Sequence, residues 1–474
     1  MKTIKLIPDS LIQSIYSIVG KENLLLDSTS IRNNATDAFG KFRDSPTQTK
    51  QGNLIGIVKP SSSSEVQSIV VLANQHGIPI VPHGGGTGVM GAITPTEQSL
   101  SVDLRRMNHI LSISPTDKTA TIEAGVILGD LDSALKETGL MLGHDPYSVP
   151  IATVGGAIST NGVGYRATKY GSMGEQVLGL QVVMPSGELL NTRPVKKSSA
   201  GPSLKHLFIG AEGTLGIITQ ATIKVFEYPE TRIFKTISFD TFEEGFHTML
   251  ELFSIGIRPA MIDLSEEAPE PTDQPKTTMF LMFEGYKEEV HSQIQRSLML
   301  CKDGNGKDIG EALAKQYWYT RHDSAYSYKK RFLDNPELSS LQADPRKPSE
   351  YPHVALPASK ILEYRSLCKE IATNHALHIR EYSSWTEPEL FSMILVDVDM
   401  NEPEPTKSEK LSRVSTEMLS LAQQLGGSME YVHGVGTKLA ALMPQELNHG
   451  IDILRTIKSS LDPNNIMNPG RFNL

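Results

Sequence analysis

Cysteine is nearly missing from this chain, which has two in 474 residues, Cys301 and Cys368, far apart and without metal-binding or redox spacing. That scarcity excludes a disulfide scaffold and fits free thiols in a reducing compartment. Long apolar runs are missing as well. The N-terminal stretch MKTIKLIPDSLIQSIY is short, mixed and broken by polar residues, too weakly apolar for a signal peptide or a membrane span. A cytoplasmic location is therefore expected, with a peripheral membrane contact left open. Nor is there any excess of positive charge: 45 Lys and Arg stand against 54 Asp and Glu, for a net charge of -9, with no long basic run. This excludes nucleic acid as a partner, because phosphate-dominated binding requires a basic surface. No internal repeat occurs, and the length suits two or three domains with well-buried cores.

Glycine, by contrast, is abundant and clustered. Residues 82–91 read PHGGGTGVMG, in which Gly86, Gly88 and Gly91 have the spacing of a dinucleotide-binding Rossmann turn. Such a turn must follow a strand and open a helix. Upstream, Ser62 and Glu65 have capping-box spacing, Val66, Ile69, Val70 and Ala73 repeat at helical intervals, and Gly77 can stop the helix before a buried strand at Ile78–Val81. Downstream comes AITPTEQSLSVDL, whose Pro95 and alternating pattern predict loop and strand. The glycines thus join strand to strand, and a different phosphate cradle is implied. Two more clusters, TVGGAISTNGVG at 153–164 and GAEGTLGIIT at 210–219, make three glycine-rich turns along which one extended ligand could be threaded.

The pattern predicts an α+β architecture. In the first part, to about Pro229, Val/Ile-rich runs alternate with turns, and ILGDLDSALKETG at 127–139 predicts an amphipathic helix through Leu128, Leu131 and Leu135. Beyond Pro229, EEAPEPTDQPK at 266–276 and EPEPTKSEK at 402–410 read as exposed loops. Between them TTMFLMFEGY and FSMILVDVDM read as strands of a second sheet, with helices near 285–300 and 357–375. The last fifty residues hold GGSMEYVHGVGTK, the helix-like HGIDILRTIKSSL and LDPNNIMNPGRF. The expected division is 1–229, 230–424, and 425–474 returning to the first part.

Taken together, PHGGGTG, TVGGAISTNGVG, YGSMGEQVLGLQVVMPSGE, GAEGTLGIIT, HGVG and LDPNNIMNPG resemble the vanillyl-alcohol-oxidase type of FAD-linked oxidoreductase. The resemblance runs from about residue 45 onward and is nearest the branch of the D-type glycolate oxidase polypeptides and the D-2-hydroxy acid (D-lactate) dehydrogenases, with alkyldihydroxyacetonephosphate synthase as a near relative. It implies a two-part FAD-binding domain of the PCMH type, an α+β cap over the substrate, and non-covalent FAD. The glycine loop would contribute Pro82, His83, Gly84, Gly85, Gly86, Thr87 and Gly88, with Gly91 nearby. The second cluster would add Pro150, Ile151, Thr153, Gly155 and Gly156, then Thr160, Asn161, Gly162, Val163 and Gly164. From the third come Glu212, Gly213, Gly216, Ile217 and Ile218, and from the last motif Asn468.

The resemblance also makes His433, in YVHGVG, the base for a substrate hydroxyl proton, a role suited to an imidazole that titrates near neutrality. Arg321, in Trp318-Tyr-Thr-Arg321, would grip an anionic group of the substrate, since a guanidinium binds planar anions bidentately. Tyr326 and Tyr431 are further hydrogen-bonding candidates. Two departures matter. The metal-binding His-x-Gly-Asp-Gly-Asn-x-His of many relatives is replaced by ALHIREYSSWTEPELF, in which His375 and His378 could meet at i and i+3 of a helix without an evident third ligand, so no catalytic metal is expected. The three consecutive histidines of the ether-lipid synthases are Tyr431, Val432 and His433 here. The expected function is oxidation of a small anionic 2-hydroxy acid or related alcohol, with electrons passing to an acceptor or a partner redox subunit. An ether-lipid transferase using FAD without net redox and a non-catalytic FAD-binding subunit are the alternatives, and a homodimer is left open.

Overall fold

The computed structural model describes residues 8–38, 53–334, 348–399 and 401–474. The start of the N-terminal stretch, residues 1–7, and the beginning of the family resemblance near residue 45 lie outside the described residues. Helix Ser63–His76 starts as its sequence predicts: the Ser62 hydroxyl accepts the Glu65 N–H at 3.2 Å, and Gly77 ends it at φ +60°. The expected capping box is displaced by one residue. The Glu65 carboxylate takes the N–H of Ser61 at 2.7 Å and the Ser61 hydroxyl at 2.9 Å, leaving Ser62 to act as the cap alone. Val66, Ile69, Val70 and Ala73 all face the core.

Strand Ile80–His83 follows, and strand Ser99–Asp103 lies parallel beside it, with Ile80 opposite Leu100 and His83 opposite Asp103. Parallel neighbours usually need a crossover helix. Here the glycine-rich segment makes the return without one, as the sequence predicts. Leu54–Val58 and Leu24–Leu25 complete this four-stranded sheet. A five-stranded antiparallel sheet packs against it, in the order Ile110–Ser114, Thr119–Glu123, Ile217–Lys224, Val177–Val183, Leu189–Asn191. The two share one hydrophobic core that includes Val58, Ile69, Leu128, Leu180 and Ile223.

A larger sheet forms from the residues beyond Pro229. Its path is Lys307–Asp308, Thr231–Phe239, Lys276–Gly285, Met261–Glu267, His378–Trp385, Leu390–Val396, Ser349–Glu350, with His353–Ala355 pairing beside Leu390–Val396. Helices Phe242–Ser254, Lys287–Asp303, Ile361–Asn374 and Glu404–Gln424 bury their apolar residues in a second core with it. The residues after 425 divide between the two: Leu439, Met443 and Ile451 join the second core, whereas Ile466 and Met467 join the first. Near this junction the N–H of Ile80 donates to Ile466 O and the N–H of Asn468 to Ile80 O, so the late segment runs beside the strand that leads into the glycine loop.

Two local expectations change. TVGGAISTNGVG is not a bare turn: Val154–Thr160 is helical, capped by Thr153 and closed by Asn161 at φ +50°. A threonine cap and an αL-tolerant asparagine frame even a glycine-bearing helix when Val154 and Ile158 can be buried. EPEPTKSEK is not a loop but the start of helix Glu404–Gln424, with Pro405 in the first turn, where a missing N–H breaks no helical bond. His375 ends one helix and His378 begins a strand, so no single helix presents the two together. Both cysteines are buried and free. Among the described residues no helix is long and apolar enough to cross a membrane.

Candidate active site

A cleft of about 460 Å³ lies between the three glycine-rich segments and one face of the large sheet. Pro82, His83, Gly84, Gly85, Gly86, Thr87 and Gly88 line it continuously. The N–H groups of Gly84 through Gly88 give no hydrogen bond to any described residue, so a row of backbone donors is left for a ligand. Glycine is required here by space. A Cβ on Gly84 would lie 2.4 Å from Thr153 Oγ1, and one on Gly85 would lie 2.3 Å from Ile151 O. Thr153, Gly155, Gly156, Thr160, Gly162, Val163 and Gly164 form the adjoining wall, and Glu212, Gly213, Gly216, Ile217 and Ile218 the next. Such a cradle suits the diphosphate of FAD, because oriented N–H groups neutralise anionic oxygens without fixed positive side chains.

Five expected contact residues stand behind the wall instead of in it. Ile151 and Pro150 back the glycine loop and the helix at Leu128. Gly91, at φ +77°, gives its N–H to Asp37, and Asn161 accepts the N–H of Gly174. Asn468 donates to Ala92 O at 3.0 Å and Glu212 O at 2.7 Å, tying the glycine loop to the third cluster. His144 was not legible from the glycine pattern, yet it lines the same cleft. It is 2% exposed, its Nδ1 meets no partner, and burial pushes its pKa down to about 4, so a neutral imidazole faces the cavity.

At the other end the HGVG segment brings His433 into the wall. Gly436 must be glycine, because φ is +55° and a Cβ would sit 1.9 Å from Met90 O. Glu212 anchors the segment from across the cleft, accepting the N–H of Val435 at 2.7 Å and of Gly436 at 3.0 Å. Glu430 does the same from below. Its Oε1 accepts the N–H groups of Val432 and His433 and lies 3.5 Å from His433 Nδ1. Burial would raise the Glu430 carboxyl, but its bonds to His433 and the nearby imidazoles hold it below the ordinary value. His353, which the sequence pattern did not single out, packs edge-on against His433 at 4.7 Å between ring centres. Burial first, then the neighbouring His433, pushes His353 down to about 4.

The large sheet closes this end with one face. Alternation along His378–Trp385 turns Glu381, Ser383 and Trp385 into the cleft, beside Asp263 from the neighbouring strand and Ser392 and Ile394 from the next. Tyr317 donates to Asp263 at 2.8 Å. The other three catalytic candidates do not reach the wall. Arg321 lies over the Trp318 ring at 3.6 Å and donates through Nε to buried Asp145 at 2.9 Å. Despite burial, Arg166, His322 and Arg321 hold Asp145 far below the usual carboxyl range. Tyr326 is 57% exposed, and Tyr431 lies outside the lining. Among the described residues no group of three or more His, Cys, Asp or Glu side chains converges to hold a metal ion.

Glu212 supplies a stability test. Burial pushes its pKa up to about 7 from 4.5, against the two backbone donors. A raised carboxyl contributes stability in full below its unfolded value, and that contribution is lost as pH rises through the folded value. Glu212→Gln removes the titration while keeping an acceptor oxygen. Its unfolding free energy should therefore fall less steeply than wild type between pH 5 and 7, by at most about 1.4 kcal/mol per pH unit. Equal falls in unfolding free energy between pH 5 and pH 7 for the two proteins, each obtained by urea titration, would refute the assignment.

Comparison with known proteins agrees with this geometry. A family model described as an FAD binding domain matches residues 55–193, and a second, the C-terminal domain of FAD linked oxidases, matches residues 228–472. Glycolate oxidase subunit GlcD of Bacillus subtilis is 29% identical over 431 residues, covering 88% of this chain and 88% of that one. A D-lactate dehydrogenase of Archaeoglobus fulgidus is 30% identical over 425 residues, covering 88% of this chain and 90% of its own length. Among solved structures, an alkyldihydroxyacetonephosphate synthase superposes with TM-score 0.78 at 22% identity, over 98% of this chain and 86% of that one. p-Cresol methylhydroxylase with substrate bound gives 0.76 at 18%, over 99% and 98%. The glycine cradle, the α+β cap and the two matched regions together make this chain a member of the FAD-linked oxidases, an FAD-dependent oxidoreductase with a PCMH-type cofactor domain.

Proposed function

We propose that the protein oxidises the CH–OH carbon of a 2-hydroxy acid or related alcohol, with His433 taking the hydroxyl proton. The observation that carries this reading is the placement of His433: its imidazole lines the cleft between the cofactor cradle and the large sheet, with the Glu430 carboxylate behind it. The names of the relatives, a glycolate oxidase subunit and a D-lactate dehydrogenase, support the substrate class. Bound FAD would supply the acceptor for a hydride and its two electrons. His433 takes the O–H proton as the C–H bond breaks, and a carbonyl product remains. Glu430 favours the tautomer in which Nδ1 carries hydrogen and Nε2 is the base. His353 donates Nδ1–H to Tyr351 O at 2.9 Å, which leaves its Nε2 as a neutral acceptor.

The cofactor is held without a covalent bond in this reading: relatives with a flavin-linked histidine place it after the glycines, where Thr87 stands here, while His83 precedes them. Electrons leave through an acceptor or a partner redox subunit, a reading favoured by the Bacillus relative, which is named as one subunit of an oxidase. Two free, buried thiols favour a cytoplasmic setting. One preparation tests the reading. Anaerobic addition of D- and L-2-hydroxy acids should bleach the flavin, and acid precipitation should release the colour to the supernatant. A flavin that no hydroxy acid or alcohol reduces, or one that remains with the washed pellet, would contradict it.

A further inference from the structure

We infer that the substrate carries additional hydroxyl groups along its chain, and that Asp263, Tyr317, Glu381, Ser383 and Trp385 form the subsite that receives them. This deepens the proposed oxidation and rests on it. Among the described residues, the cleft wall holds no lysine or arginine, and Arg321 is engaged with Asp145. The wall facing the imidazoles offers hydroxyls, carboxyls and one indole instead.

Their arrangement is ordered by the sheet. His433 meets His353, the His353 ring stands 6.2 Å from Trp385, and Trp385 pairs across the ladder with Asp263. Ser383 and Glu381 follow at two-residue steps on the same face, each step roughly 7 Å along a strand. Glycolate or lactate, held with its hydroxyl at His433, is too short to pass Trp385 and reach Ser383 or Glu381. A longer chain bearing hydroxyls can meet them in turn, with its C–H edges against the indole. Asp263 already accepts from Tyr317 at 2.8 Å and Ser265 at 3.0 Å, which fixes its carboxyl in place, whereas the Glu381 side chain has no hydrogen bond to another described residue.

A hydroxyl fits Glu381 better than an ammonium does. Burial raises Asp263 to about 6, which leaves it mostly ionised at pH 7 and accepting from Tyr317 and Ser265, whereas burial together with Asp263 and Glu267 raises Glu381 to about 8, so that this carboxyl keeps its proton there. A carboxyl that retains its proton near neutrality both donates and accepts, which matches a hydroxyl; an ammonium requires a full negative charge.

The test separates binding from turnover. In stopped-flow reduction of the holoenzyme, D-gluconate should half-saturate at a concentration at least about tenfold below that for D-lactate or glycolate, the effect of one or two well-formed hydrogen bonds. Glu381→Leu and, independently, Trp385→Leu should each shrink that gluconate-to-lactate preference by about tenfold. Isothermal titration of FAD-loaded His433→Ala with D-gluconate and 6-amino-6-deoxy-D-gluconate, whose ammonium lies at the far end of the chain, measures affinity without reaction, and gluconate should bind at least as well as its amino analogue. If lactate reduces the flavin with gluconate's affinity, or if neither variant alters the preference, the subsite is refuted while the oxidation stands. Tighter binding of the 6-amino analogue, lost in Glu381→Leu, would replace hydroxyl recognition with cation recognition. If gluconate binds and no hydroxy compound reduces the flavin, the subsite survives and the proposed oxidation fails.

Discussion

His433→Ala should reduce its flavin about 10²–10⁴-fold more slowly than wild type at saturating substrate, the usual contribution of a positioned general base. FAD content should stay near normal, because the cradle at Gly84–Gly88 lies on other elements and His433 contributes no group to it. The alanine keeps the backbone N–H that Glu430 accepts, so the HGVG segment should hold its position. If the imidazole acts only in the transition state, kcat and kcat/KM should fall together. Anaerobic stopped-flow measures both. Reduction at wild-type speed would remove His433 from the mechanism and leave His353, whose ring is 4.7 Å away, as the group to test.

The largest stability effect is expected at Asp462. Its two oxygens accept the N–H of Ile466 at 3.0 Å and of Met467 at 2.8 Å, and one also meets Lys458. Lys458 is itself buried and donates to Thr214 O at 2.9 Å and Met467 O at 2.7 Å. Burial pushes the Lys458 amine down even with Asp462 beside it. Asp462→Ala would strand that ammonium and two backbone donors, and breaking a buried pair on one side costs about 3–5 kcal/mol. Lys458→Met should be milder, since the carboxylate keeps its two backbone donors and the methionine fills similar space. Urea unfolding orders the two variants. Equal losses, or a loss from Asp462→Ala below about 1 kcal/mol, would show that the pair is not a structural centre.

How far the sequence alone reached depends on whether the relevant interactions are local. The helix caps at Ser62 and Gly77, the buried stripe Val66, Ile69, Val70 and Ala73, and the strand-to-strand path of PHGGGTG were all legible because each depends on neighbours within a few positions. Pro405 misled because proline signals a break in a loop and also suits a helix's first turn, and only the burial of Leu411 and Val414 decides between them. His144, His353 and Glu381 were invisible for a different reason. Their significance comes from strands and loops paired at long range, and no local spacing marks a lone histidine as cavity-facing. Arg321 was legible as an anion binder, but the anion it meets is Asp145, 176 positions away.

The attachment of Asn468 to Ala92 links residues 376 positions apart. During synthesis the glycine-rich loop therefore emerges long before its brace exists, and so does the strand at Ile80 that Ile466 later pairs with. Domains commonly fold as they leave the ribosome, N-terminal parts first. This one must wait with the outer edge of Ile80 unpaired although the four strands of its first sheet are already made, and closing such a long loop places the step late and makes it slow. Cofactor capture thus belongs to the end of biogenesis, and a nascent chain stalled before residue 462 should present a colourless, unbraced cradle to its chaperones.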